Sequence, residues 1–214
     1  MPKREPPAEV AKIRRAIRAF FDTIDKSTGR KVGSAKCGIY AFYDYEDEPI
    51  YVGQTIESLS GRVGRHLTGR RSDAVAKYVL DPFEVLSIQV WPMFELEGEA
   101  HEVKKAAVNA AEYEVFQRVL AASKFGAVLN EGDIPEPVER RDLPESWKGR
   151  IIPDDLYEER QHPDIRLARR AGTIANLAGL ISERSVDDNI RLTLLVQAQR
   201  LEHLSRKRLQ EDDA

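Results

Sequence analysis

The sequence predicts an α+β fold: a small three-stranded sheet flanked by helices, with an N-terminal helix before it and a C-terminal helical hairpin after it. Three observations carry that reading. Gly38-Ile39-Tyr40-Ala41-Phe42-Tyr43 is an apolar, aromatic run, and an acidic turn from Asp44 to Pro49 joins it to the returning run Ile50-Tyr51-Val52-Gly53, the pattern of a β-hairpin. Phe83 to Met93 alternates well enough for a third strand and carries apolar residues on both faces, as a strand covered on both sides does. Glu99 to Ala122, rich in Ala, Glu, Lys and Val, reads as a long helix.

Residues 8–25 repeat apolar side chains at helical spacing (Val10, Ile13, Ile17, Phe20, Phe21, Ile24), with Lys12, Arg14, Arg15 and Arg18 mostly off that stripe. Ser27-Thr28-Gly29 ends this helix, and a basic connector runs from Arg30 to Lys36. Behind the hairpin, Ser58 or Ser60 can cap a short helix that carries Arg62 and His66 one turn apart on one face. Ser72 can cap a second short helix, Asp73 to Leu80, which Asp81-Pro82 breaks. Residues 134–163 contain five prolines and read as a linker or an extended strap. Two amphipathic helices follow, Asp164 to Glu183 and Val186 to about Gln210. They form a hairpin that packs on the core, on a second copy or on another protein; the pattern does not choose. The chain thus divides into a basic N-terminal helix and connector (1–36), a core (37–133), the strap (134–163) and the C-terminal hairpin (164–214).

Composition narrows the classes. At 214 residues with 42% hydrophobic content the chain suits one good domain plus an appendage. No apolar run approaches the ~18 residues of a membrane span, so no membrane partner is expected. The first residues lack the apolar core of a secretory signal. A single cysteine, Cys37, excludes an internal disulfide framework and a cysteine-rich metal site. The simple expectation is a cytoplasmic protein. The net charge of −3 hides a gradient: ten Lys/Arg face four Asp/Glu in residues 1–36, whereas ten face eighteen in residues 37–140. Phosphate binding depends on local basic patches, so the basic arm outweighs the total. Arg14, Arg15, Arg18, Lys36, Arg65, Arg70 and Arg71 are the candidates for contacts to DNA. The acidic middle opposes this unless its carboxylates hold metal or face away.

One residue in the long helix stands out. Glu112 lies within the apolar stripe of Val108, Val115, Phe116 and Val119, where burying a carboxylate costs several kcal/mol unless something pairs with it. Glu114 lies about 200° further round and reads as a solvated charge. Phosphodiester cleavage needs charge neutralisation at the phosphate, a base for water and support for the leaving oxygen. Arg62 offers a planar fork of donors, Glu112 a ligand for Mg²⁺ (or Mn²⁺), and a tyrosine beside them a group whose pKa can be shifted.

The triads Gly38-Ile39-Tyr40 and Tyr51-Val52-Gly53, then Arg62 and His66, then Glu112 with Val115 and Phe116, then Asn130, resemble in order the pattern of the GIY-YIG nuclease family. The resemblance covers roughly residues 38–130. It implies a three-stranded antiparallel sheet flanked by helices and metal-dependent cutting of nucleic acid. It further implies Tyr40 as general base, with Tyr51 assisting or positioning the phosphate and Arg62 stabilising transition-state charge. Glu112 would bind the metal, His66 would orient Tyr40 or serve the leaving group, and Asn130 would brace the site. The resulting expectation is a Mg²⁺-dependent, restriction-type endonuclease acting on double-stranded DNA as a homodimer. The alternatives are a structure-specific or single-strand nuclease of repair or mobile DNA, and a non-catalytic DNA- or partner-binding module. The C-terminal helices are a candidate site for a protein partner.

Overall fold

The computed structural model describes residues 7–68, 80–126, 128, 134–183, 185–186 and 188–212. In chain order the elements are α1 (Ala8–Phe21), β1 (Gly38–Tyr43), β2 (Pro49–Thr55), α2 (Leu59–Thr68), β3 (Ser87–Pro92), α3 (His101–Ala122), β4 (Trp147–Arg150), α4 (Asp154–Arg160), α5 (Pro163–Glu183) and α6 (Asp188–Asp212). The fold is α+β, and its strands form one antiparallel sheet in the order β2-β1-β3-β4. No described helix is long and apolar enough to cross a membrane.

The strand count corrects the expectation of three. The fourth strand, β4, lies in the proline-rich stretch and pairs with β3 from Ser87↔Arg150 to Val90↔Trp147. Its four residues alternate between half-buried and exposed, and at the edge of a sheet such a segment carries no apolar run for a sequence pattern to find. Gly149 admits it: a Cβ there would stand 2.6 Å from the Phe20 ring of α1. The third strand also starts later than expected. Asp81 Oδ1 accepts the Phe83 N–H at 2.9 Å, and the Glu84 N–H donates to the Asp81 carbonyl at 3.0 Å, so residues 81–84 form a turn before Ser87. The helix expected over residues 73–80 lies outside the described residues, apart from Leu80.

All six residues of β1 are buried, because helices cover both faces of the sheet. Ile39, Ala41 and Tyr43, with Val52 and Trp91 of the neighbouring strands, face Val108, Ala111, Val115 and Val119 of α3. Tyr40 and Phe42, with Tyr51, Ile88 and Val90, face the layer built by Ile13, Ile17 and Phe21 of α1, Val63 and Leu67 of α2, and Leu177 and Val196 of the C-terminal helices. The period of two along each strand therefore sends Tyr40 and Tyr51 to one side.

The C-terminal hairpin docks on the core through buried charge. Arg166 and Arg170, one turn apart on α5, reach Asp44 of the β1–β2 turn at 3.4 and 2.7 Å and Glu84 at 3.5 and 3.3 Å. Arg200 of α6 lies 3.5 Å from Glu48 and donates to the Pro49 carbonyl at 2.6 Å. All six charged side chains are at most 10% exposed. Three acids of the acidic middle are thus matched by three arginines from the last helices. Such a network adds little net stability over an apolar core, but removing one partner costs roughly 3–5 kcal/mol.

Candidate functional site

Strand register sets the first part of the site. Tyr40 of β1 pairs with Gly53 of β2, and Phe42 with Tyr51. The Tyr40 and Tyr51 rings stack at 6.1 Å between centroids and 28° between planes. The Tyr40 phenol lies over Gly53: a Cβ on that glycine would stand 2.5 Å from the Tyr40 hydroxyl oxygen, 2.6 Å from Cζ and 2.8 Å from Cε1 of Tyr51. Only a residue without a side chain lets the phenol occupy that space.

The second part comes from α2. Ser58 starts the helix, its Oγ accepting the Gly61 N–H at 3.1 Å, and this fixes the phase at which Arg62 and His66 leave the backbone. Val63 and Leu67 anchor the helix to the sheet. His66 is buried, edge-on to Tyr40 at 5.6 Å and 82°, and lies 5.4 Å from the Tyr51 ring. Burial pushes the Tyr40 hydroxyl up to about 12. The Arg62 guanidinium and the Tyr51 hydroxyl pull the other way, and Glu112 adds to the rise. The Tyr40 oxygen is wholly buried and makes no hydrogen bond of full geometry within the described residues.

The third part comes from α3, across the β2 edge. Glu112 is partly buried, and burial raises its carboxyl from 4.5 to about 7. Only a hydrogen bond from Gln54 and the field of Arg62 oppose that rise. Gln54, on β2 next to Gly53, is itself held, its Nε2 donating to Asn109 Oδ1 at 2.9 Å. Glu114 points elsewhere and pairs with Arg140 at 3.7 Å.

The structure therefore brings Tyr40, Tyr51, Arg62, His66 and Glu112 together. Asn130, Arg70 and Arg71 lie outside the described residues. The basic side chains separate into groups. Arg14 and Arg18 line a groove between α1 and α2, whereas Lys12 pairs with Asp155 of α4 and Arg15 lies close enough to act on that same carboxylate. Lys36 and Arg65 are exposed, with Arg65 4.0 Å from Glu57. Of the connector's other cations, Arg30 forks onto Glu97 and Lys31 pairs with Asp22 at 2.6 Å. Sequence reasoning missed Gln54. A lone glutamine on an edge strand carries no pattern, though its alternation with Gly53 places it on the α3 side.

Among the described residues no group of three or more His, Cys, Asp or Glu side chains could hold a metal. A hydrated Mg²⁺ asks for less, since it binds through one or two carboxylates and keeps its remaining positions for water and phosphate oxygens. Glu112 fits that demand. It is a hard oxygen donor, partly buried, whose charge only Gln54 and Arg62 offset.

Residues 36–120 match the family model of the GIY-YIG catalytic domain, a stretch that contains every residue of this cleft. The match supports the GIY-YIG nuclease family, whose members are endonucleases that act on DNA and generally depend on a divalent metal. No curated protein and no solved structure matches the chain.

Proposed function

We propose that the protein is a divalent-metal-dependent DNA endonuclease of restriction type, hydrolysing phosphodiester bonds of duplex DNA in the cleft of Tyr40, Tyr51, Arg62, His66 and Glu112. One observation carries the reading. A guanidinium, two phenols and an under-compensated carboxylate lie within electrostatic reach of one another, beside a glycine that leaves room for a buried phenol. Each answers one requirement of an inert, negatively charged ester.

Glu112 would hold the metal, with Gln54 and Asn109 fixing its carboxylate. When bound, the ion supplies positive charge at the phosphate and at the leaving oxygen. Arg62 carries a second positive charge toward the phosphate, placed by the helix phase that Ser58 sets. Tyr40 would give its own proton to solvent and, as the phenolate, take one proton from the attacking water, ending protonated again. Arg62 favours that ionised form against the burial that opposes it. Oxygen–phosphorus bond formation and loss of the sugar oxygen complete the hydrolysis, the leaving oxygen taking a proton from solvent. His66, packed edge-on against Tyr40, keeps the phenol aimed, and Tyr51 stacks behind it.

Cutting both strands calls for two such clefts, so the reading includes a homodimer on DNA. The test is plasmid incubation with and without Mg²⁺ or Mn²⁺, with the wild type and Glu112→Gln. Metal-dependent linear fragments of discrete size are expected from the wild type, and none from Glu112→Gln, with DNA binding retained. Equal cutting by both proteins sinks the assignment of Glu112. Nicking confined to junctions or single strands replaces the restriction reading with a structure-specific one.

A further inference from the structure

The flank of α3 that carries Glu112 continues toward the helix N-terminus with two side chains whose outward atoms the proposed hydrolysis leaves unused. Counting back from Glu112, Asn109 lies about 60° round and about 4.5 Å along the axis, and Lys105 about 20° round and about 10.5 Å along. The three stand in a row beside β2, the edge strand of the sheet. Asn109 and Lys105 are both exposed.

Hydrogen bonding fixes which way the Asn109 amide faces. An ionised or metal-bound carboxylate only accepts, so Gln54 turns its NH2 group toward Glu112. The same NH2 group also donates to Asn109 Oδ1 at 2.9 Å. Asn109 thus keeps its carbonyl oxygen toward Gln54 and presents its own NH2 outward, with no acceptor for it among the described residues.

One turn earlier, the Lys105 ammonium forms no ion pair among the described residues. It does not fold back on the metal ligand either, since Gln54 and Arg62 are the groups that act on Glu112. Lys104 leaves the helix toward the other flank, where it acts on the buried Cys37 thiol. Asn109 and Lys105, four residues apart, are neighbours on the helix surface, so an amide NH2 and an ammonium point out together. Both groups only donate, and the ligand that matches them is an anion.

Building on the nuclease reading, we infer that Asn109 and Lys105 form a subsite for a backbone phosphate of the strand being cut, a few nucleotides from the scissile one. A strand carries one phosphate per about 3.4 Å of duplex axis, so a strand laid along α3 from Glu112 brings another phosphate to Lys105 within about three steps. Lys105 supplies a point charge there, and the Asn109 NH2 a directed hydrogen bond to a phosphate oxygen. Contacts of this kind carry no sequence information; they set the register of the strand over the metal ligand. Gln54 couples the two places, because the amide that steadies Glu112 also orients Asn109.

The test uses the full chain in the Glu112→Gln background, so that binding is read without cutting while an amide oxygen at that position still accepts from Gln54. Fluorescence anisotropy with labelled duplexes of two unrelated sequences is measured over a range of salt. Lys105→Gln should reduce the magnitude of the slope of log K against log salt by about one, alike on both duplexes. Asn109→Asp keeps an oxygen for Gln54 but turns the outward NH2 into a charged oxygen, so affinity should fall by about tenfold or more on both duplexes. Its melting temperature should stay close to the parent's, since the side chain is exposed and nearly the same shape. If Asn109 only braces Gln54, Asn109→Asp binds like the parent and the inference falls. An unchanged salt slope in Lys105→Gln, or a parent protein that binds neither duplex, also overturns it. Should Asn109→Asp fail to fold, the Lys105→Gln slope alone decides. Metal-dependent plasmid cutting by the wild type is scored separately. A protein that cuts but ignores both substitutions loses the subsite and keeps the nuclease; one whose binding responds but which never cuts loses the nuclease and keeps the subsite.

Discussion

Replacing Gly53 by alanine adds one methyl group where the structure has a phenol. The new carbon would stand 2.5 Å from the Tyr40 hydroxyl oxygen and 2.6 Å from Cζ, against an ordinary contact of about 3.5 Å or more. The ring must therefore move by about 1 Å at its reactive end, and Tyr51, 2.8 Å from the same carbon, blocks part of the escape. Misplacing a reacting group by about 1 Å can cost on the order of 10²-fold in rate. Overpacking of this kind costs roughly 1–3 kcal/mol of stability, less the ~0.5–1 kcal/mol that alanine regains over glycine in a strand. Gly38→Ala is the matched comparison. There the added carbon meets the Trp91 carbonyl oxygen at 2.7 Å, Leu59 Cδ2 at 3.3 Å and Pro92 Cα at 3.3 Å, two residues before Tyr40 on the same face of β1 but against neither phenol. It should lose more stability while its folded fraction cuts at nearly the wild-type rate. Urea unfolding and single-turnover plasmid cleavage measure the two quantities. Wild-type cutting by Gly53→Ala would refute the assignment of Tyr40 as the base.

Tyr40→Phe keeps the ring and its stacking on Tyr51, so stability should barely change while the cleavage rate falls by about 10²–10⁴-fold if the phenol is the base. Glu112, raised to about 7 from 4.5, makes the metal-free protein lose stability as pH rises from about 4.5 to about 7, because the folded state holds its proton longer than the unfolded one. That slope should vanish in Glu112→Gln thermal melts, and Mg²⁺ should stabilise the wild type more at pH 8 than at pH 5.5. Glu114→Gln removes only a partly exposed pair with Arg140 and should cost under about 1 kcal/mol with cutting intact, as read by melting and plasmid assay. Arg170→Met leaves Asp44 and Glu84 short of a partner at 2.7 and 3.3 Å, so chemical unfolding should show a loss of roughly 3–5 kcal/mol.

How far the sequence shows the site depends on which residues carry a pattern. The hairpin is legible because its apolar residues alternate around an acidic turn, and that alternation already puts Tyr40 and Tyr51 on one face. Arg62 and His66 follow from a capped helix with a known phase, and Glu112 from its place inside an apolar stripe. Gly53 is legible as a glycine but not for its purpose, which is visible only once the register sets it under a phenol. Gln54 and Asn109, a short polar chain between an edge strand and α3, leave no periodic trace. β4 is too short and too polar for one. Arg166, Arg170 and Arg200 are the sharpest case: on an amphipathic pattern they belong to the wet side, yet they are buried because the acids they meet are buried too.

That last group also eases the charge problem the sequence poses. Residues 37–140 carry eight more acids than bases, a poor field for a polyanion if all of them faced the cleft. Asp44, Glu48 and Glu84 are instead turned into the protein at the turn end of the hairpin, each within 3.5 Å of an arginine from α5 or α6. Neutralised and withdrawn from solvent, they contribute almost nothing to the potential beyond a Debye length, about 10 Å at ordinary ionic strength. Under the nuclease reading proposed above, the arginines of the C-terminal hairpin match acids that would otherwise oppose a polyanionic substrate.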